Sequence, residues 1–499
     1  MNITMLAAEY GGAAALRCTP LASTIERLAH ALAQCGASVT IITPGYGVVD
    51  GPALEQISVN FGGTDERVEV IEASNADDVR HIALEHVRFQ PQGAGRVYCD
   101  DGNDAPFATD AGKFAFFSAA SATYLSSQPV LPDAVHVHDW PGGLFFALRE
   151  YDPAHLALRT VRCVFSLHSS EIQGRRPLAF HESSLRSWFA DLPLPRRAVV
   201  DPEYDDCVNP VATAMRLADA VALPSVSYVD ELCADDASNL SALAHYQRSR
   251  GALMGIDAGA TPRERPVRRT AWTTVRQQLH EHLRGLIAGA PLLRSAHFLC
   301  DQTLELLPAR RPSVVASLLG PFDDNGLHLL RQSHTTATSV LDAMLATLRG
   351  GERLVALGDG TAAAESFLTA VAARQPRFVY LQGNAGAAAD WLLRAADFHV
   401  VLPHFAPGAA AALTALNLGR PCLVHRVGGL RDAVEEGFNG WHTDAAQDAV
   451  VAAFARACDT KRAGGKPYNQ LCSNAATSGT PWPVIAKRFL DQLYRATVT

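Results

Sequence analysis

Charge is scarce in this chain, and one cation is nearly missing. Only 19% of the 499 residues are charged, and among 43 basic residues lysine stands only at 113, 461, 466 and 487. The formal net charge of −8 offers no basic face, which argues against a nucleic-acid binder. No run reaches the roughly 18 apolar residues that would cross a bilayer. The ten cysteines are scattered singly from Cys18 to Cys472 without a Cys-x-x-Cys pair. That excludes the usual zinc spacing and a disulfide framework and points to reduced thiols. The first residues, Ile3–Ala8, already read as a strand with no basic leader before them. A cytoplasmic protein is the expectation, with no metal, no nucleic acid and no membrane span.

Hydrophobic residues make up 48% of the chain, enough for a large core, and the length predicts two domains of similar size. The first 45 residues read as one βαβ unit. Ile3–Ala8 is followed by Gly11-Gly12, a helix with Leu21, Ile25, Leu28 and Leu32 on one face, a stop at Gly36, and a second strand Val39–Thr43. Further strands are expected at Val68–Ile71, Arg96–Cys99, Ala134–His138, Cys163–Leu167 and Ala220–Leu223, several with helical stretches between them. Such alternation predicts a parallel, doubly wound sheet. Residues 259–325 break the rhythm and open on the Arg- and Pro-rich run Thr261–Arg269, read here as a junction insertion. From 326 the alternation returns, with strands expected at Leu327–Leu330, Leu354–Leu357, Phe378–Leu381, Phe398–Leu402 and Cys422–His425. The expected division is 1–258, an insertion 259–325, a second domain 326–477, and a closing segment 478–499 that crosses back to the first domain.

Several segments carry a more specific pattern. His136-Val137-His138-Asp139-Trp140 precedes Gly143-Leu144; Phe165-Ser166-Leu167-His168 precedes Gln173-Gly174; Ala218-Asp219 precedes Ser225, Tyr228 and Glu231. Gly255-Ile256-Asp257, Leu357-Gly358-Asp359-Gly360, Gly428-Gly429-Leu430-Arg431-Asp432 and Pro481-Trp482 follow in order. Together with Glu9 after the first strand, this series resembles the bacterial glycogen and starch synthases, retaining glycosyltransferases of the GT-B class. The resemblance implies two Rossmann-like doubly wound domains facing a central cleft. It also implies transfer of glucose from ADP- or UDP-glucose to a glucan without a metal or cofactor, so the small-molecule partners would be a glucan and a sugar nucleotide. A phosphorylase or epimerase of the same fold would not explain the His-Asp-Trp segment.

By that resemblance Asp139 and His168 fall where the family surrounds the transferred sugar. Arg17, Arg331, Gly358, Gly428, Gly429 and Leu430 fall on the nucleotide side. Read without it, Asp139 and His168 are strand-end residues that cap a helix or pair with each other. The departures matter as much. The family's Lys-Thr-Gly-Gly-Leu loop reads Arg17-Cys18-Thr19-Pro20-Leu21, which puts a side chain where the diphosphate needs backbone and removes one N–H. The family's Ser-Arg-x-x-x-x-Lys-Gly clamp aligns with Arg331 in the Arg place and Thr336-Ala337 in the Lys-Gly place. The family's reaction-centre Glu falls on Ala406, within Phe405–Ala412, and a methyl group cannot stabilise an oxocarbenium ion. Met254 and Ala212 replace two further polar residues, and His404 is the nearest group that could replace the lost carboxylate. The expectation is a silent or strongly impaired synthase homologue with a binding, regulatory or scaffolding role beside another protein; the alternative is an active hexosyltransferase with a changed donor or acceptor.

Overall fold

The computed structural model describes residues 1–76, 78–102, 107–190, 192–263, 265–288, 307, 309–383 and 386–495. They form two compact units, Met1–Gly259 with Pro481–Thr499, and Ala260–Thr480.

The first unit is built on nine strands: β1 (Asn2–Leu6), β2 (Ser38–Pro44), β3 (Ala53–Phe61), β4 (Thr64–Ala76), β5 (Val79–Glu85), β6 (Ala134–His138), β7 (Arg162–Ser166), β8 (Ala220–Leu223) and β9 (Leu253–Gly255). Their order is β9-β8-β7-β6-β1-β2-β5-β4-β3. β1 pairs in parallel with β2 on one side and β6 on the other. The chain therefore reverses direction across the sheet between β1 and β6, and ligands of open α/β sheets bind outside the carboxyl ends of such a strand pair. Helix α1 (Pro20–Gln34) starts with Thr19 as cap and Pro20 at its first position, and ends before Gly36, whose φ of 87° only glycine takes without strain. It buries Ile25, Leu28 and Leu32 against β1 and β2, each contributing about 1.5–3 kcal/mol. Ile485, Phe489 and Leu493 from the closing segment complete the same core.

The edge of this sheet differs from expectation. β3–β4–β5 is an antiparallel meander, of which only a piece of β4 is expected from the sequence. The β3 pattern of Ile57, Val59 and Phe61 buried at alternate positions is legible in retrospect. Arg96–Cys99, expected as a strand, is a loop. Gly93 and Gly95 with positive φ bend the chain there, and side chains of α2 (Ala108–Ser127) hold it.

The second unit has a six-stranded sheet of β10 (Val315–Leu319), β11 (Arg353–Gly358), β12 (Phe378–Gln382), β13 (Phe398–Val401), β14 (Cys422–His425) and β15 (Gly440–Thr443). Their order is β12-β11-β10-β13-β14-β15, all parallel, with the reversal between β10 and β13. Phe398, Trp441 and Phe454 meet edge to face at the centre of its core, with ring centroids 5.7 Å apart.

Here the junction expectation is corrected. Leu327–Leu330 is not a strand but part of helix α3 (Asp324–Arg331), which buries Leu327, Leu329 and Leu330. The carboxylates Asp323 and Asp324 just before the apolar run are a helix-start signal, and it outweighs the run itself. The first strand of the sheet is β10, inside the stretch taken as an insertion. Its flank Thr261–Arg269 belongs to the second unit, while residues 289–306 and 308 lie outside the described residues.

Candidate functional site

In the first unit the carboxyl ends of β1 and β6 present Glu9 and Asp139. Glu9 is fully buried and accepts three hydrogen bonds. The Thr19 N–H donates to Oε2 at 2.7 Å, the Thr19 hydroxyl to Oε1 at 2.6 Å, and the Tyr98 hydroxyl to Oε1 at 3.0 Å. Thr19 Oγ1 in turn accepts from Leu21 N at 3.2 Å, and the Thr19 carbonyl from Ala22 N at 3.2 Å. The start of α1 is thus closed on itself: Thr19 N–H goes to Glu9, Pro20 has no N–H, and Leu21 and Ala22 go to Thr19. Helix N-termini bind phosphate through such donors, and here each has been taken. Arg17, expected to keep a charge for the donor, donates to the Gly11 carbonyl and lies 3.5 Å from Glu26.

Asp139 has φ 55° and ψ −175°, a region that non-glycine residues occupy only under strain of about 1–3 kcal/mol, most often at functional sites. Its backbone N–H donates to Ser166 O at 2.9 Å, and its Oδ1 accepts from His168 N at 2.6 Å. The carboxylate is therefore fixed between β6 and the loop after β7. Burial pushes its carboxyl up to about 7, against the backbone donors of His168 and Ser169 that favour the charged form. His168 stacks on His138, with Nε2 3.1 Å from His138 Nδ1. His136 lies between the Ser166 and Tyr494 hydroxyls at 2.7 and 2.8 Å. Burial holds His136 down at about 3 and His168 at about 4, so this row of imidazoles is neutral at pH 7. Asp139 and His168 are brought together, and Glu9, Thr19 and Tyr98 join at the neighbouring strand end. Tyr98 went unrecognised because its segment reads as a strand. Met254 pairs with Ala222 at the β8–β9 edge, and Ala212 is a buried residue of the helix Pro210–Leu217.

The second unit has its own strand-end site, and two of its expected residues are elsewhere. Arg331 is the last residue of α3, the end opposite a phosphate-binding N-terminus. Its guanidinium is taken up by Asp324 at 2.5 Å and the Ala363 carbonyl at 3.2 Å. Thr336 lies beyond it, bonded to the His334 ring. The turn that does follow β10 is Leu319–Gly326. Nothing cationic stands there. Asp323 caps α3, its Oδ1 accepting from Gly326 N at 2.6 Å, which places a carboxylate at that helix N-terminus. The Asn325 side chain receives Phe405 N at 2.7 Å and donates to Phe405 O at 2.9 Å, and its carbonyl accepts from His404 N at 3.0 Å. Three hydrogen bonds thus tie the two loops that flank the reversal between β10 and β13.

Ala406 sits in the second of those loops, its carbonyl accepting from Gly429 N at 3.0 Å. A Cβ at Gly428 would meet Ala406 O at 2.0 Å, and one at Gly429 would meet Gly408 at 2.6 Å. The glycine pair is needed to let the 405–409 loop lie against α4 (Gly428–Ala433), where Leu430 is buried. Gly358, with φ 150°, similarly packs on Gly320. His404 turns its ring onto His328 at 4.5 Å. Asp359 stays a turn residue after β11 whose carbonyl receives Phe322 N. Beside these loops is a cavity of about 610 Å³ lined by Leu318, Phe322, Leu393 and Leu402, with Asp323 and Asp390 as its carboxylates. It would take an apolar group more readily than a diphosphate. Among the described residues no cluster of metal-binding side chains is present, and no helix is long and apolar enough to cross a membrane.

Two doubly wound sheets, each with a parallel strand pair at the reversal of its strand order, are the architecture of GT-B glycosyltransferases, and solved structures of that class match it. The catalytic domain of starch synthase IV from Arabidopsis thaliana, solved bound to ADP and acarbose, superposes with a TM-score of 0.76 at 20% identity, covering 99% of this chain and 98% of that one. Sucrose-phosphate synthase from Thermosynechococcus elongatus gives 0.57 at 17% identity, covering 99% and 98%. The family model of the starch synthase catalytic domain matches residues 2–245. Glycogen synthase from Anaeromyxobacter dehalogenans is 26% identical over 487 residues, covering 94% of each chain. The enzyme from Gloeobacter violaceus is 26% identical over 505 residues, covering 97% of this chain and 98% of its own. The chain is glycogen/starch synthase-like, with the GT-B fold.

Proposed function

We propose that this chain is a glycogen/starch synthase homologue that binds a glucan or sugar nucleotide without transferring sugar at ordinary rates, and acts as a regulatory or scaffolding subunit. What carries the reading is the closed start of α1, where Thr19, Pro20 and Glu9 consume the donors a diphosphate would use. The second unit supports it with Asp323 at the head of α3, Arg331 engaged by Asp324, and, by the resemblance, Thr336 in place of a lysine and Ala406 in place of a carboxylate. Loss of a single charge-assisted contact costs about 1.5–3 kcal/mol, and here several are absent together. The sugar-facing pair Asp139 and His168 persists in a strained, fixed geometry, which suits retained binding of hydroxyls.

Incubation with labelled ADP-glucose and UDP-glucose plus glycogen is expected to give no incorporation, while glycogen retards the protein in affinity gels. Turnover of about 1–10³ per second would overturn the proposal. The strain kept at Asp139 favours one second reading, an active hexosyltransferase with a different donor or acceptor. In that case Asp139→Asn would abolish a measurable transfer.

A further inference from the structure

At the amino ends of β10 and β13, away from the strand ends described above, a single carboxylate gathers three cations. Asp397 is fully buried, and on its Oδ1 converge Arg269 at 2.7 Å, Arg311 at 2.9 Å and Lys461 at 3.2 Å. Its Oδ2 is already committed to the backbone, accepting from Val315 N at 2.9 Å. A fourth cation, Arg420, is buried behind the group and spends its donors on the carbonyls of Leu393, Gly419, Val267 and Arg394. Three cations on one oxygen exceed both the charge and the lone pairs that oxygen offers. One cation neutralises a buried Asp, and although Arg311 also donates to the Pro312 and Ala395 carbonyls at 3.1 Å each, the positive charge gathered here exceeds what Asp397 balances.

The surplus is reachable. The side chains of Arg269 and Arg311 are each 29% exposed and that of Lys461 17%. Among the described residues the Lys461 ammonium makes one ion contact and lies 4.7 Å over the Tyr468 ring, which leaves at least one of its three donors for a ligand. Arg269 is also held in place. It donates to the Tyr468 hydroxyl, which itself donates to Asp397 O at 2.7 Å. The Arg-rich run that delivers it is fixed along the unit by Ala260 N to Thr480 O, Arg263 N to Ala476 O at 2.6 Å, and Val267 N to Leu418 O at 3.2 Å. This is the stretch that the sequence singles out as basic and that the strand-end sites leave unused.

We infer that Arg269, Arg311 and Lys461 form an anion site in the second unit, taking a phosphate group either free or carried by a small metabolite. Two guanidiniums and an ammonium suit a tetrahedral dianion, since arginine binds phosphate with a planar fork and lysine as a point charge. The site is separate from the strand-end sites and does not depend on whether the protein transfers sugar.

The test is calorimetric titration of the full chain with inorganic phosphate at constant ionic strength, chloride serving as the control anion. Saturable binding is expected, weakened about tenfold to a hundredfold in Lys461→Met and in Arg269→Gln, each checked for native circular dichroism. Either variant leaves two cations on Asp397. A hexose phosphate binding more tightly than phosphate, with the free hexose inert, would identify a phosphorylated metabolite; equal affinities would identify free phosphate. No saturable binding by the unmodified chain, or undiminished binding in a folded variant, would overturn the proposal.

Discussion

Acidification from pH 7 to pH 5 is expected to unfold the first unit well before the second. Six imidazoles of the first unit are lowered with burial as the largest cause, four of them deeply: His81 held at about 4, His136 at about 3, His168 at about 4, and His138 well below its ordinary value, with His86 and His155 shifted in the same direction. In the unfolded chain each titrates near 6.5. Between pH 6.5 and about 4 the unfolded state therefore binds protons that the folded state refuses, and stability falls as pH falls. Asp139 works in the opposite sense. Its carboxyl is raised by burial to about 7, so the folded state takes a proton first, and lowering the pH from 7 relieves a buried charge. The four deeply shifted imidazoles against one carboxyl leave a difference of about three protons, or about 4 kcal/mol per pH unit at 1.36 kcal/mol each. A domain with about 5–15 kcal/mol in hand exhausts that within a few pH units. In the second unit His399 is held at about 4 and burial lowers His425 and His442 less deeply, so its slope is shallower. Urea midpoints at pH 7.5, 6.5 and 5.5, localised by hydrogen exchange and mass spectrometry, should show the first unit losing protection first. Equal slopes for the two units would mean that the row from His136 to His168 is hydrated and charged.

Much of this was legible in the sequence where local pattern and tertiary environment agree. β6, β8 and β14 were expected at the residues where they occur, because short apolar runs bounded by turn residues have one reading when both faces are buried. Asp139 and His168 were singled out by the distinctive segments around them, and the fold joins them through one hydrogen bond. What stayed hidden depended on partners far along the chain. Arg331 looked like a phosphate ligand until the fold placed it at the carboxyl end of α3, and Leu327–Leu330 looked like a strand because four residues cannot show whether their period is 2 or 3.6. The closing of α1 onto Glu9 joins residues ten apart through a hydroxyl whose direction no periodicity reports. Tyr98 completes that group from a loop whose shape is set by two side chains of α2.

Those two side chains carry the second large effect: Asp110→Ala is expected to cost the first unit about 3–5 kcal/mol, the range for breaking a buried ion pair by removing one partner. Lys113 Nζ lies 2.7 Å from Asp110 Oδ1, with the two side chains 0% and 2% exposed. The ammonium also donates to Val97 O at 2.5 Å, and both Asp110 oxygens accept from Cys99 N at 3.1 Å. Alanine would leave a desolvated charge with neutral partners alone, the Val97 and Arg96 carbonyls, the Cys99 sulfur and the rings of Phe114 and Tyr46 at 4.9 and 5.5 Å, none of which replaces a carboxylate. It would also free the Cys99 amide and slacken the 97–99 loop that holds Tyr98 on Glu9. The double variant Asp110→Ala/Lys113→Met removes the stranded charge and should therefore be more stable than the sum of the single losses predicts, with a coupling of about 0.5–3 kcal/mol. Urea unfolding of the four proteins measures the cycle. A loss below about 1 kcal/mol for Asp110→Ala would show that the ammonium finds water. Additive losses would show that the loop contacts rather than the pair support the unit. Faster amide exchange at Thr19 in the Asp110 variant would report the consequence for the site, because the hydrogen bonds of Tyr98 and Thr19 share one oxygen of Glu9.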